Sequence, residues 1–403
     1  MQDSAIIPIV VAFDNNYCIP AGVSLYSMLA NAKRERERVK LFYKIHCLVE
    51  GLSLENVAKL EETIAPFSAF SSIEFLDITL SDEESKPRHH YYKLDVVIAG
   101  EIKKLYLKLN SFSQKRFSKM IMCRFFFASL FPQYDRMIMF DVDTLFVGDI
   151  SESFFIPLDD HYFGAVREKD LIAMNRNSAK DLYELRQMCA KSIGVANAFP
   201  NQKEAQILFD NYFNTGFLAL NLKLWREENL ENQLIGFFIL KNEKLLFPDQ
   251  DVLCFVCRGR ILELPYEYNA YPSFLDTPLF PSIKEVRMLH FWGDKPWKLL
   301  SVIGAKKWHE ALIQTPFKDA YFNAPFLDHL FESLQNKDKE IQNKDKEIQN
   351  KDKEIHALKK TLSFSDKRHS FDFLLPRLSS KLLIEFLLFK AKQKVKRLIK
   401  RVL

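Results

Sequence analysis

Residues 137–146 read Met-Ile-Met-Phe-Asp-Val-Asp-Thr-Leu-Phe, an apolar run closed by two aspartates one residue apart. Four consecutive apolar residues suit a strand buried on both faces of a sheet. A buried carboxylate is costly unless something pairs with it. Asp141 and Asp143 are therefore expected just past the strand end, where an open α/β sheet binds its ligands. Two hard oxygen ligands this close suit Mn²⁺ or Mg²⁺, an ion that takes substrate phosphates as further ligands. The competing reading is a plain strand-to-turn junction, since Asp favours turns.

Four further segments place polar side chains beside expected strands and helices. Ala12-Phe13-Asp14-Asn15-Asn16-Tyr17 follows the first apolar run. Tyr212-Phe213-Asn214-Thr215-Gly216 precedes a strand ending at Asn221. Pro248-Asp249-Gln250-Asp251 precedes a helix. His290-Phe291-Trp292-Gly293-Asp294-Lys295-Pro296-Trp297 follows a late strand. Each segment alone is weak: a lone His after a strand is more often structural than a ligand. Their joint order carries the signal.

The elements that must position these residues alternate. Strands are expected at Ile6–Phe13, Leu41–Val49, Ile73–Ile78, 137–141, Phe217–Asn221, Ile261–Leu264 and Val286–Phe291. Helices are expected at Ala21–Ala32, Leu54–Ile64 and Phe117–Phe131. Strands alternating with helices at this spacing argue for a mostly parallel sheet. Residues 166–206 are polar and helix-like and interrupt the pattern, as a lid or an acceptor-binding insertion would.

This ordered set resembles the family 8 retaining glycosyltransferases, and within them the bacterial lipopolysaccharide galactosyl- and glucosyltransferases. The resemblance covers roughly residues 6–305. It implies an α/β fold of the GT-A type, a Rossmann-like, mostly parallel sheet flanked by helices. It implies that Asp141, Asp143 and His290 hold Mn²⁺ or Mg²⁺. Ala12, Asp14 and Asn16 would contact uridine, with Tyr17 stacked on uracil. Arg124 would lie near the diphosphate and donor sugar, and Gly293 and Lys295 would bind the diphosphate. Asn214, Thr215 and Gly216 would touch the donor sugar, with Asp249 and Gln250 at its reacting face. The donor implied is a UDP-hexose, galactose or glucose, and the acceptor a lipid-linked saccharide of lipopolysaccharide or lipooligosaccharide core type. Asn15 stands where relatives often have Asp, and Thr215 where many have Ala.

The chemistry of these residue types agrees. A divalent ion stabilises charge developing on a diphosphate leaving group, and Arg124 and Lys295 add fixed positive charge. Asp249 or Gln250 offers a side-chain oxygen to an oxocarbenium-like centre, as carboxylates do in glycosidases. Two other classes compete. Haloacid-dehalogenase-type phosphatases use an Asp-x-Asp after a strand, but near the N-terminus and with Thr or Val where this chain has Leu145. A non-catalytic, sugar-binding scaffold on a membrane-bound stalk would be expected to lose metal ligands, and all three are present.

Length and composition bound the rest. The chain has 403 residues, 36 of them Phe, enough for a full catalytic domain with a large core. A net charge of +5 excludes a general polyanion binder, and no nucleic-acid recognition module is legible. Six scattered cysteines do not form a disulfide framework, so a reducing cytoplasm is expected. Cys254-x-x-Cys257 has no second pair to complete a zinc site and reads as two partly buried thiols. Ile6–Phe13 has the length of a strand rather than of a signal sequence, and no run reaches membrane-spanning length.

The domain reading is a GT-A catalytic domain over 1–310, a connecting segment over 311–333, a heptad-repeat helical spacer over 334–362 and a basic amphipathic tail over 363–403. Leu334, Ile341, Ile348, Ile355 and Leu362 fall seven apart. The second core position of each heptad is polar, so a solvated spacer and a homodimerising stalk both remain open. Lys381–Leu403 carries eight Lys/Arg and one Glu, with Val395, Leu398, Ile399, Val402 and Leu403 on one helical face. Such a tail suits an anionic membrane surface. The expected location is the inner face of the cytoplasmic membrane, with peripheral attachment.

Overall fold

The computed structural model describes residues 4–79, 90–168, 179–195, 197–275 and 285–322, together with 336–353 apart from 338, 341, 345 and 352. One compact unit spans Met1–Leu330. Its sheet is built from β1 (Ser4–Asp14), β2 (Glu35–Arg36), β3 (Val39–Glu50), β4 (Ser71–Asp77), β5 (Tyr91–Lys93), β6 (Arg136–Phe140), β8 (Phe163–Arg167), β9 (Phe213–Asn221) and β10 (Ile261–Glu263). A separate ribbon pairs β7 (Thr144–Phe146) with β11 (Met288–His290).

The sheet order is β10-β8-β9-β6-β1-β3-β4-β5, with β2 added antiparallel to β3. β1 runs parallel to β3 and β6, and β3 to β4. β9 is antiparallel to both β6 and β8, so the sheet is mixed, with a parallel majority. Side chains alternate across it. Ile7, Ile9 and Val11 of β1 join the core on one face, with Ile45, Phe140 and Trp308. Val10 joins the other, with Met137, Met139, Leu218 and Trp225. Both faces are covered, which is why the strands read as continuous apolar runs rather than alternating ones.

Helix Leu54–Ile64 falls where the sequence placed it, started by Ser53, whose side chain accepts from Asn56 N. The helix after β1 begins at Cys18, earlier than expected, because Asp14 caps a short 3₁₀ turn that feeds it directly. Phe117–Phe131 is not one α-helix. It is a 3₁₀ segment, Lys119–Phe126, followed by a short α-turn, Phe127–Leu130. Met122, Cys123, Phe125 and Phe127 are all fully buried, so tertiary packing rather than helical periodicity sets this stretch.

The stretch 166–206 begins inside a strand that was not foreseen: β8 enters the sheet between β9 and β10. A helix, Ala179–Ser192, follows. The compact unit also runs past residue 310. Phe317 and Tyr321 are buried in the core, and the Phe317 ring lies so close to helix Cys18–Asn31 that a Cβ at Gly22 would stand 2.7 Å from it.

The second unit spans Phe331–Leu403. Its described residues are helical and solvent-exposed, with i,i+4 ion pairs Glu340–Lys344 and Glu347–Lys351. Ile348, one of the heptad residues, is half exposed. Leu334, Ile341, Ile355, Leu362 and the whole tail 363–403 lie outside the described residues. Among the described residues, no helix is long and apolar enough to cross a membrane.

Candidate active site

β6 ends at Phe140, and the chain turns at Asp141-Val142-Asp143 before β7 begins. Asp141 N donates to Gly216 O on neighbouring β9 (2.9 Å), and Thr144 Oγ1 donates to Asp141 O (2.7 Å), which pins the turn. The β7–β11 register sets His290 opposite Thr144. Phe291 N then donates to Asp143 O (3.0 Å). Thr144 and His290, 146 residues apart in sequence, are thus held together by a three-residue ribbon.

The result is a cluster in which ligand atoms of Asp141, Asp143 and His290 all lie within 4.8 Å of one another. His290 Nε2 is 3.4 Å from Asp143 Oδ1 and 3.9 Å from Asp141 Oδ2. The other ring nitrogen, Nδ1, is 2.9 Å from Asn269 Oδ1. Asn269 is oriented in turn, because its Nδ2 donates to Asn214 Oδ1 (2.6 Å). An acceptor at Nδ1 places the imidazole proton there and leaves the Nε2 lone pair facing two carboxylates. That arrangement is repulsive unless a cation lies between them. Two carboxylates and an imidazole whose orientation is fixed from behind suit Mn²⁺ or Mg²⁺.

Two basic side chains brace the cluster. Arg124 is 6% exposed, and its guanidinium reaches Asp141, Asp249 (2.5 Å) and Thr215 Oγ1 (2.8 Å). Lys295 Nζ donates to Asp143 Oδ2 (2.6 Å) and Phe291 O (2.6 Å). Burial pushes the Asp143 carboxyl up, but the Lys295 ammonium, joined by His290 whenever its ring is protonated, outweighs it and holds the carboxyl well below the ordinary range. Burial, helped by Asp143 and Asp249, holds Asp141 above its ordinary value despite Arg124. The two aspartates thus differ in how strongly they keep a proton.

Behind the cluster, Asp249 and Gln250 open helix Pro248–Val256. Gln250 Oε1 accepts from Thr215 N (3.3 Å) and Asn214 Nδ2 (3.4 Å). Gly216 N donates to Asn214 Oδ1 (2.9 Å). Along the same end of the sheet, Asp14 accepts from Asn16 N (2.9 Å). Tyr17 is 38% exposed and meets Trp297 with the two rings nearly perpendicular, centroids 6.1 Å apart. Asn15 is taken up structurally: its Oδ1 accepts from Ser53 N and Asn56 Nδ2, both at 2.9 Å. A cleft of about 590 Å³ opens from Asp14, Asn15 and Asn16 toward Glu50, Thr79 and Lys103. Gly293, at φ +88, makes the turn between His290 and Lys295.

The structure therefore brings Asp141, Asp143, His290, Arg124, Lys295, Asp249, Gln250, Asn214, Thr215 and Gly216 into one contact network. Ala12, Asp14, Asn16 and Tyr17 lie at the end of β1 or just beyond it. Sequence reasoning missed Asn269, Glu168, Tyr271 and Trp292. Glu168 is buried, and its carboxylate accepts from Tyr271 (3.0 Å), Asn214 Nδ2 (3.1 Å) and Gln250 Nε2 (3.5 Å). Trp292 is half exposed beside Tyr271, ring centroids 6.2 Å apart. Cys254 and Cys257 are both buried, and burial pushes both thiols up. Cys254 Sγ donates to Phe213 O (3.2 Å), a packing role as the sequence suggested.

Comparison with known proteins bears on this geometry. Residues 8–300 match the family model described as Glycosyl transferase family 8. The lipopolysaccharide 1,2-glucosyltransferase of Escherichia coli (strain K12) is 26% identical over 195 residues, 46% of this chain and 51% of that protein. General stress protein A of Bacillus subtilis (strain 168) is 24% identical over 80% of this chain and 94% of its own. The chain thus spans about half of the first relative and nearly all of the second. Among solved structures, the galactosyltransferase LgtC, in complex with donor and acceptor sugar analogues, superposes with a TM-score of 0.53. It is 18% identical, over 77% of this chain and 96% of that one, a likeness of fold.

Proposed function

Because the chain belongs to glycosyl transferase family 8, we propose that it moves galactose or glucose from a UDP-sugar to a saccharide acceptor, with retention at the anomeric carbon. The observation that carries this reading is the placement of Asp141, Asp143 and His290 on one side of Arg124, with Asp249 on the other. A pair of aspartates with an imidazole, sharing one guanidinium with a further carboxylate, suits a cation and a diphosphate beside a sugar ring. Mn²⁺ or Mg²⁺ held by Asp141, Asp143 and His290 would supply Lewis-acid stabilisation of the leaving diphosphate.

The chain's own residues do the rest. Ala12, Asp14 and Asn16 grip the uridine, and Tyr17, partly exposed, stacks on uracil. Arg124, Lys295 and the backbone at Gly293 hold the diphosphate. Asn214, Thr215 and Gly216 orient the donor sugar. Gln250 presents an amide oxygen, and Asp249 a carboxylate, toward the reacting face. A Gln oxygen is a poor nucleophile, which favours attack from the same face as the departing diphosphate. Trp292, half exposed and backed by the buried Tyr271, offers an aromatic surface suited to a sugar ring of the acceptor.

The lipopolysaccharide enzymes among the relatives support a core saccharide on a lipid as acceptor. Residues 371–403 would hold the protein on the inner face of the cytoplasmic membrane, with the heptad-repeat segment 334–362 as a spacer or dimerising stalk. The deciding experiment is a donor-hydrolysis screen over nucleotide sugars with and without Mn²⁺. UDP-galactose or UDP-glucose should be consumed only with the metal present. Preference for a GDP or CMP donor would overturn the nucleotide, and an inverted product would overturn the stereochemistry.

A further inference from the structure

Helix Val96–Leu107 buries Ile102 and Leu105 but leaves Val96, Val97 and Leu107 62%, 72% and 61% exposed. Tyr92, just before it, is also exposed. At 3.6 residues per turn, Val96, Val97, Gly100, Lys103, Lys104, Leu107 and Lys108 fall within about 140° of one another around the axis. A Cβ added at Gly100, in the middle of that arc, would meet nothing within 4 Å. Lys103, Lys104 and Lys108 are exposed on the same face. Residues 91–119 hold seven Lys/Arg and two acidic residues, a local charge of +5 that equals the charge of the whole chain.

We propose that this face rests on an anionic lipid bilayer, independently of the C-terminal tail. Exposed valine and leucine side chains flanked by lysines match an interface with an apolar interior and a negative surface. The lysine stems extend the apolar area while their ammonium groups reach the headgroups. The placement also fits the chemistry: Lys103 and Leu107 line the mouth of the cleft that begins at Asp14. A bilayer here would lie beside the donor cleft, where a lipid-borne acceptor is presented. A soluble protein partner is the alternative occupant, and the charge argues against it, since protein interfaces deplete lysine.

The test uses the full chain. Cys189 is the exposed cysteine and the other five are buried, so Cys189→Ser gives a background for site-specific labelling. An environment-sensitive fluorophore is attached at Val97→Cys, and separately at Lys180→Cys on helix Ala179–Ser192 as a control. On phosphatidylethanolamine/phosphatidylglycerol vesicles the label at 97 should shift to the blue, reversibly with salt, while the label at 180 stays unchanged. A tail-only tether would shift neither label, and that outcome overturns the proposal. An equal shift on pure phosphatidylcholine overturns its electrostatic half. In a second arm, Lys104→Glu combined with Lys108→Glu should weaken the shift-detected vesicle affinity about tenfold or more. Unchanged affinity at position 97 would overturn the assignment to this face. A partner protein instead of lipid would leave the label at 97 unmoved by every vesicle.

Discussion

A methyl group on Gly216 would stand 2.3 Å from Cε1 of His290 and 2.6 Å from its Nδ1. Real Cβ atoms do not tolerate such contacts, and the ring has no room to give: His290 is 3% exposed. Gly216 is therefore the floor against which the imidazole is seated. Its backbone is not in the left-handed region, so the requirement is space, not conformation.

Gly216→Ala should displace the ring from the two aspartates and lower Mn²⁺ affinity about 10- to 100-fold, the range seen when support of a ligand is lost. Overpacking of this kind costs about 1–3 kcal/mol, so the melting temperature should fall by a few degrees while the protein still folds. Calorimetric titration of Mn²⁺ in the presence of UDP checks it. Wild-type metal affinity in the variant would mean that the ring is free to move.

Asn269→Ala removes the acceptor that fixes the proton on His290 Nδ1. It also leaves Asn214 Oδ1 with one donor, Gly216 N. The expected outcome is weaker metal binding by about tenfold. Asn269→Asp should restore the acceptor and much of the affinity. If both variants bind metal as the wild type does, the chain from Asn214 through Asn269 to His290 has no orienting role.

Asn269 also shows where the sequence stops being legible. Asp141 and Asp143 could be read because an apolar strand ending in carboxylates demands an explanation on local grounds alone. Asn269 sits after a short 3₁₀ turn, Tyr266–Tyr268, in a stretch with no periodicity. Only the pairing of Ala270 with β11 brings it to the metal cluster. Glu168 was hidden differently. β8 carries Gly164 and Ala165 in an apolar run too short to announce a strand, so its end, and the carboxylate there, fell inside what read as an insertion. The 3₁₀ character of Lys119–Phe126 was likewise invisible, because burial on every side erases the helical pattern. Arg124 was found all the same, but through the resemblance to a known family and not through any local signal of its own stretch.

The pair of buried His46 and half-buried Glu74 predicts a pH dependence of stability. His46 is fully buried, with Nδ1 2.5 Å from Glu74 and Nε2 3.2 Å from Tyr134. Burial raises the Glu74 pKa, but His46 and then Lys44 outweigh it, and the net shift is below the ordinary 4.5. A depressed carboxyl contributes stability that is present above the unfolded value and drains away as pH falls through the folded one. Wild-type stability should therefore drop below about pH 4.5 more steeply than that of Glu74→Gln. Urea midpoints between pH 3 and pH 6 measure this. Parallel pH profiles for the two proteins would rule the pair out as the source.

Arg186 and Asp251 tie the helix Ala179–Ser192 to the first turn of the helix that carries Asp249 and Gln250. The guanidinium spans both carboxylate oxygens, at 2.8 and 2.9 Å, and the Tyr212 hydroxyl adds a third bond at 3.1 Å. Both charged groups are under 5% exposed, so the fork is dry and its geometry matters. Arg186→Lys keeps the charge but offers one ammonium where two parallel bonds stood. Gln250, the residue before Asp251, should lose its fixed position against Thr215 N. Turnover should fall by about tenfold or more, the size expected when a reacting-face group is misplaced by a fraction of an ångström. UDP affinity with Mn²⁺ should change little, because none of the nucleotide-side residues touches Arg186. Arg186→Met would leave Asp251 buried without a counter-charge, at a cost of about 3–5 kcal/mol, and should show the larger loss of melting temperature. The informative comparison is kcat against UDP dissociation constant in the lysine variant. A fall in affinity equal to the fall in kcat would show that the pair holds the whole site together rather than aiming Gln250.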